Sequence, residues 1–252
     1  MTFYELYKIL DERYPTSLRC DWDNDGIMCT DSLEKDVKSV LIALDVTMDT
    51  VKYAIENSFD TIISHHPLVF RGQNALTPVN YTQEKLIELI KNNVSVMSFH
   101  TRLDASCGGV NDVLAGILGL EGVQADPLDP IGRIGWTREQ TEVGDFAKKV
   151  KEALDAPFVL YSGECQVNKV YVVGGDGKDL IDNAIVAGCD TIVTGRASYN
   201  TSIDACDRGI NIIEAGHFYT EHPVCNELAR VISNINSEIY TEVYNSNKIL
   251  TV

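Results

Sequence analysis

The sequence has no Cys-x-x-Cys pair among its seven cysteines, and seven is an odd number, so neither a zinc ribbon nor a disulfide framework fits. Cys20, Cys29, Cys107, Cys165, Cys189, Cys206 and Cys225 read instead as reduced, mostly buried small side chains, the usage expected in the cytoplasm. Long apolar runs are missing as well. Nothing approaches the roughly 20 residues of a membrane span, and the opening MTFYELYKILDERYPTS alternates apolar and charged residues at helical spacing, with no export signal expected. Positive charge is scarce: 21 Lys and Arg face 37 Asp and Glu, a net charge of −16. Such a surface repels phosphate backbones and anionic lipid, which disfavours nucleic acid or a membrane as partner. A local site holding cations could still take an anionic small molecule. What is present is a 44% hydrophobic chain of 252 residues, enough for one large domain or two compact ones.

Strand-like runs alternate with amphipathic helical segments: SVLIALDV, MDTVKYAIENS, DTIISHH, EKLIELIKNN, VSVMSFH and GGVNDVLAGILGL, the order of an α/β fold with mainly parallel sheets flanked by helices. Residues 121–140, EGVQADPLDPIGRIGWTREQ, break the pattern with Pro127, Pro130 and several glycines, and suggest a boundary. The order then restarts. KSVLIALD matches NKVYVVGG and AIENSFDTIISHH matches AIVAGCDTIVTGR at an offset of 130, while VSVMSFHTRLD matches NIIEAGHFYTE at 117, aligning His100 with His217 and Asp104 with Glu221. Two related α/β units explain this better than chance likeness between generic strand-helix-strand segments. The expected division is 1–125 and 126–252, with the segment 237–245 packing back on the first unit.

All five histidines fall just past the expected ends of three strands, where open α/β sheets bind ligands. His100 and His217 each stand four residues before a carboxylate, Asp104 and Glu221, so a helical turn would put each pair on one face. Imidazole mixed with carboxylate suits Zn, Mn, Fe or Co. His65 and His66 are adjacent and Pro67 favours extended backbone before it, so their side chains should diverge, which suits two ions about 3.5–4 Å apart. A single histidine would be read as an ordinary core or surface residue. Four histidines and two carboxylates together read as a dinuclear metal site between the units.

These residues carry a resemblance. DWDNDGI (21–27), SHHPLVF (64–70), HTRLDASCGGVND (100–112) and AGHFYTE (215–221) resemble, in order, the motifs of the NIF-three-like dinuclear-metal-centre family, whose members are often named GTP cyclohydrolase 1 type 2 homologs. The resemblance implies two divalent ions (Zn, Fe, Mn or Co) held by His65, His66, Asp104, His217 and Glu221, with Glu221 bridging, and His100 beside them moving a proton. It implies hydrolysis of a nucleotide, a phosphate ester or a small cyclic compound; the alternative is a metal-binding regulatory or scaffold protein acting through protein interaction. A ring-shaped homo-oligomer, commonly a hexamer, is implied too. One departure weakens the substrate inference: where the family commonly follows TG with an acidic residue and soon a histidine, this chain has Arg196 and Asn200, and Arg196 reads either as a phosphate contact or as a salt bridge. In DWDN, Trp22 is expected in the core, with Asp23 or Asn24 capping a turn. GGDGKD (174–179) reads as a tight turn before an anion cradle, SCGGVND as a bend letting backbone pass close to the metals, and His222 as a surface or helix-start residue.

Overall fold

A computed structural model describes residues 1–251. In chain order the elements are α1 (Phe3–Arg13), β1 (Gly26–Cys29), β2 (Ser39–Ala43), α2 (Met48–Glu56), β3 (Thr61–Ser64), α3 (Tyr81–Lys91), β4 (Ser95–Ser98), α4 (Thr101–Ala105), α5 (Val110–Ile117), β5 (Glu121–Ala125), β6 (Arg133–Thr141), α6 (Val143–Ala153), β7 (Leu160–Ser162), β8 (Val167–Asp176), α7 (Ile181–Val186), β9 (Thr191–Arg196), α8 (Tyr199–Asp207), β10 (Asn211–Glu214), α9 (His217–Glu221), α10 (Pro223–Ile235) and β11 (Tyr240–Tyr244). They form two units, Met1–Leu103 with Cys225–Leu250, and Asp104–Val224. The chain leaves the first within α4 and returns at the start of α10. Among the described residues no helix is long and apolar enough to cross a membrane, and none of the seven cysteines is in a disulfide.

The first unit holds a five-stranded sheet in the order β1-β4-β3-β2-β11. β2, β3, β4 and β11 run parallel, and β1 closes one edge antiparallel to β4. β3 and β4 are buried at every position, which is why they read as unbroken apolar runs in sequence. Helix α1 starts because the Thr2 hydroxyl accepts from the Glu5 amide while the Glu5 carboxylate accepts from the Thr2 amide, and it buries Phe3, Leu6 and Leu10 at helical spacing. The Thr47 hydroxyl caps α2 in the same way, and Val51 and Ala54 pack with Leu41, Ile62, Leu89 and Val96 in the core.

The second unit holds a six-stranded sheet in the order β5-β6-β8-β9-β10-β7. β8, β9 and β10 are parallel, and β6, β5 and β7 flank them antiparallel. Side chains alternate along β8: Val170 and Val172 join Leu114, Phe146 and Val150 on one face, while Tyr171 and Val173 join Ile181, Ala184 and Ile212 on the other. Residues 121–140 are therefore not a connection between halves. They carry the hairpin β5-β6 of this sheet, with β5 exposed throughout. The expected division at 125/126 thus differs from the observed one, because α5 and β5 build onto the second sheet.

The sequence repeat is a structural repeat. Val40 pairs with Thr61 and Val170 with Thr191, so the offset of 130 holds in the ladder itself. For the third strands, Thr61 pairs with Ser95 and Thr191 with Asn211, which sets the offset at 116 and not 117. The difference is one residue inserted between β10 and His217. The antiparallel edge strands β1 and β7 extend the correspondence.

Buried Tyr171 donates its hydroxyl to Asp126, 2.8 Å away, and Asn183 donates to the same carboxylate. Burial first, then the Asp126 carboxylate, pushes the phenol far above its ordinary value. The unfolded chain would ionise this group as pH passes about 10, while the folded chain keeps it protonated, so its contribution is present below that pH and declines above it. Tyr171→Phe should cost about 1–2 kcal/mol at pH 8, and thermal melts should show the gap to wild type narrowing by pH 11.

Candidate metal centre

In the first unit, β2 and β3 carry their ladder past their ends: the His65 and His66 amides donate to the Ala43 and Leu44 carbonyls. Ser64 then donates its hydroxyl to the His66 carbonyl at 2.8 Å and bends the chain. The two imidazoles therefore do not splay to opposite faces, and their ring centres are 5.0 Å apart. His100, just past β4, brings a third ring to 5.3 Å from His65 and 5.6 Å from His66. Each of the three offers a ring nitrogen, and these nitrogens lie within 4.8 Å of one another.

What holds the rings is one pattern used three times. Nδ1 of His65 meets the Phe99 carbonyl at 2.9 Å, Nδ1 of His66 meets Asp45 at 2.8 Å, and Nδ1 of His100 meets Asp23 at 2.8 Å. A carbonyl can only accept, so Nδ1 of His65 carries the proton, and ionised carboxylates impose the same tautomer on the other two. Each ring thus presents Nε2 with its lone pair, the state in which histidine binds a metal.

Asp23 does more than cap a turn, for its carboxylate accepts from the Asn24 amide at 2.8 Å as well as from Nδ1 of His100. It is nearly buried and also accepts from the Thr101 amide at 3.1 Å and hydroxyl at 2.7 Å. Burial would raise its pKa, but the bonds from His100 and Thr101 hold it down at about 2. Trp22 next to it is not in the core: it is 64% exposed, while Asp23 and Asp25, the first and third residues after it, turn inward.

In the second unit His217 is the first residue of α9 and Glu221 the last, so they share a helix face, with Nε2 and a carboxylate oxygen 2.9 Å apart. Glu221 is buried, whereas His217 remains about half exposed. Asp104 offers a carboxylate oxygen within 4.8 Å of Glu221. The segment after Asp104 is strapped down by Asn111, whose amide donates to the Asp104 carbonyl at 3.3 Å and accepts from the Gly174 amide at 2.7 Å. The buried Arg133 guanidinium donates to the Ala105 and Ser106 carbonyls. SCGGVND is therefore more than a bend, since it supplies this strap.

GGDGKD is neither a plain turn nor an anion cradle. It ends β8, and Gly175, at φ +66°, clears space for the carboxylate: a Cβ there would lie 2.2 Å from Glu221 Oε1. Gly195 and Arg196 occupy the repeat positions of His65 and His66. A Cβ on Gly195 would lie 2.6 Å from the Gly175 carbonyl and 2.7 Å from the His217 Cα, so no imidazole fits there. Arg196 is exposed, with no ion pair among the described residues, and Asn200 is exposed on α8. His222 follows α9, stacked on Phe218 at 4.5 Å, and burial lowers its pKa. The sequence reasoning did not single out Asp45, Asn111 or Gly175 for these tasks. For Asp45 a signal was there, a carboxylate at a strand end one strand away from the paired histidines.

The donor types fit a divalent ion: imidazoles with Nδ1 engaged in the first unit, the Asp104 and Glu221 carboxylates in the second, and no thiolate. Two α/β units with such clusters past their parallel strands define an α/β protein with groups able to hold metal. The chain belongs to the Duf34/NIF3 (NGG1p interacting factor 3) family, whose model matches residues 1–249. It is 33% identical to a GTP cyclohydrolase 1 type 2 homolog of Clostridium perfringens, over 96% of this chain and 94% of that protein. A protein of the same name from Clostridium acetobutylicum is 34% identical, over 87% and 85%. Among solved structures, a hypothetical protein of Staphylococcus aureus matches with a TM-score of 0.91 at 26% identity, covering 100% of this chain and 99% of that one.

Asp23→Ala removes the acceptor of four hydrogen bonds and should destabilise the first unit by roughly 2–4 kcal/mol in urea unfolding. In nitrogen NMR of the folded variant, the His100 ring should lose its fixed preference for a proton on Nδ1.

Proposed function

We propose that the protein is a dinuclear metal-dependent hydrolase of the kind its relatives' name describes, GTP cyclohydrolase 1 type 2, acting on a nucleotide or another small phosphate or cyclic compound. In this reading His65, His66, Asp104, His217 and Glu221 hold two divalent ions. The observation that carries it is the uniform tautomer: three imidazoles, each with Nδ1 bound to a fixed oxygen, the arrangement that orients a histidine toward a metal.

Divalent ions held there would supply Lewis-acid chemistry for hydrolysis. The chain's own contributions follow from its geometry. Glu221, buried and with two carboxylate oxygens, suits a bridging position. His100 has Nε2 for proton transfer, and Asp23 on Nδ1 both fixes the tautomer and stabilises the imidazolium that forms, as a buried carboxylate does in a hydrolytic triad. The ring-shaped homo-oligomer belongs to the same proposal and is read by native mass.

Purified protein loaded with Zn, Mn, Fe or Co and assayed on GTP, phosphodiesters and small cyclic amides tests this. Glu221→Gln should lower bound metal, measured by elemental analysis, and abolish turnover. His100→Asn should keep the metal and lower kcat by about 10²- to 10⁴-fold. The family description names interaction with NGG1p, and if the protein acts by interaction instead, Glu221→Gln would spare partner binding; hydrolysis of every substrate at the wild-type rate by that variant would sink the enzymatic reading.

A further inference from the structure

Trp22 and Phe70 have no place in the machinery above. Both are exposed, 64% and 46%, on two loops past the C-terminal ends of the first sheet's parallel strands. Their ring centres are 6.2 Å apart with planes inclined at 58°, and Trp22 presents itself edge-on to His100 at 6.1 Å. These are not floppy side chains on free loops. Asp23, beside Trp22, is locked to His100 and Thr101, and the Asn24 side chain donates to the Val69 carbonyl, tying the loop of Trp22 to the loop of Phe70.

A rigidly presented, solvent-facing indole beside a polar site is the pattern of a stacking surface, which gains energy from the flat face of any heterocycle. The two inclined rings pack against each other and leave the indole open to solvent beside exposed Asp21 and Arg71. An open ring face suits a small planar group better than a continuous apolar protein face. We propose that Trp22, with Phe70, stacks the heteroaromatic ring of the substrate, a purine-like base, and so sets it beside His100. The inference rests on the reading of this site as one for nucleotides or cyclic compounds, and narrows it to substrates with a planar ring. Trp22 is a binding residue, and its tether through Asp23 couples ring recognition to the imidazole.

Calorimetric titration of guanosine, adenosine and ribose 5-phosphate into the full, metal-loaded protein tests the stack. Purine nucleosides should bind wild type and lose about 5- to 150-fold in affinity with Trp22→Ala, the span of one base–aromatic stack. Trp22→Phe should recover most of that loss, and ribose 5-phosphate should bind wild type and Trp22→Ala alike. Equal nucleoside affinity in wild type and Trp22→Ala overturns the proposal. So does a change of native mass in Trp22→Ala with unchanged nucleoside affinity, which would assign the rings to contacts between copies. Nucleoside binding that depends on Trp22 in a protein that hydrolyses nothing would leave the stack standing and remove the hydrolase reading; hydrolysis with no Trp22 dependence would do the reverse.

Discussion

Two buried carboxylates, Asp23 and Asp25, grip the first turn of α4, and the first unit's cluster of three imidazoles hangs on that grip. Asp23 takes the Thr101 amide and hydroxyl together with Nδ1 of His100, while Asp25 takes the His100 amide and the Arg102 guanidinium. Carboxylates at a helix start satisfy amides that have no partner within the helix. Arg102 is fully buried, and it is held further by Asp11, the Tyr14 carbonyl and the Thr16 hydroxyl, with Phe99 beneath it at 4.7 Å. A buried guanidinium is tolerable only when so fully partnered. The network joins α1, the loop after it and α4 into one body, and it fixes the Phe99 backbone whose carbonyl holds His65.

Much of this could be read in the letters. Parallel strands covered on both faces show as unbroken apolar runs, and every such run became a strand of the two sheets. The histidines' place past strand ends followed from those runs. The hairpin β5-β6 stayed hidden because β5 is exposed along its length and carries no alternation to announce it. Trp22 was misplaced for a different reason: a large aromatic is buried by default, and here the inward turn of Asp23 and Asp25 after it leaves the indole outside. The tasks of Asn111 and Gly175 depend on contacts with Gly174 and Glu221 far along the chain, which no local pattern encodes.

The repeat is a repeat of scaffold and not of chemistry. Both units keep three parallel strands with one antiparallel edge, in the same ladder register for the first two. The first unit spends its strand ends on imidazoles. In the second those positions are Gly195 and Arg196, and the glycine is there so that β9 can lie against the Gly175 backbone and α9 without a side chain between them. Close packing in the second unit thus leaves no room for the paired imidazoles of the first, and the groups it offers instead are Asp104, His217 and Glu221.

The single residue inserted after β10 has an outsized effect. His217 begins its helix and is bound to act with Glu221 as one rigid clamp, whereas His100 precedes its helix and is braced from outside by Asp23. Identical written spacing therefore encodes two different instruments, and lengthening a corner by one peptide was enough for a duplicated motif to divide its labour.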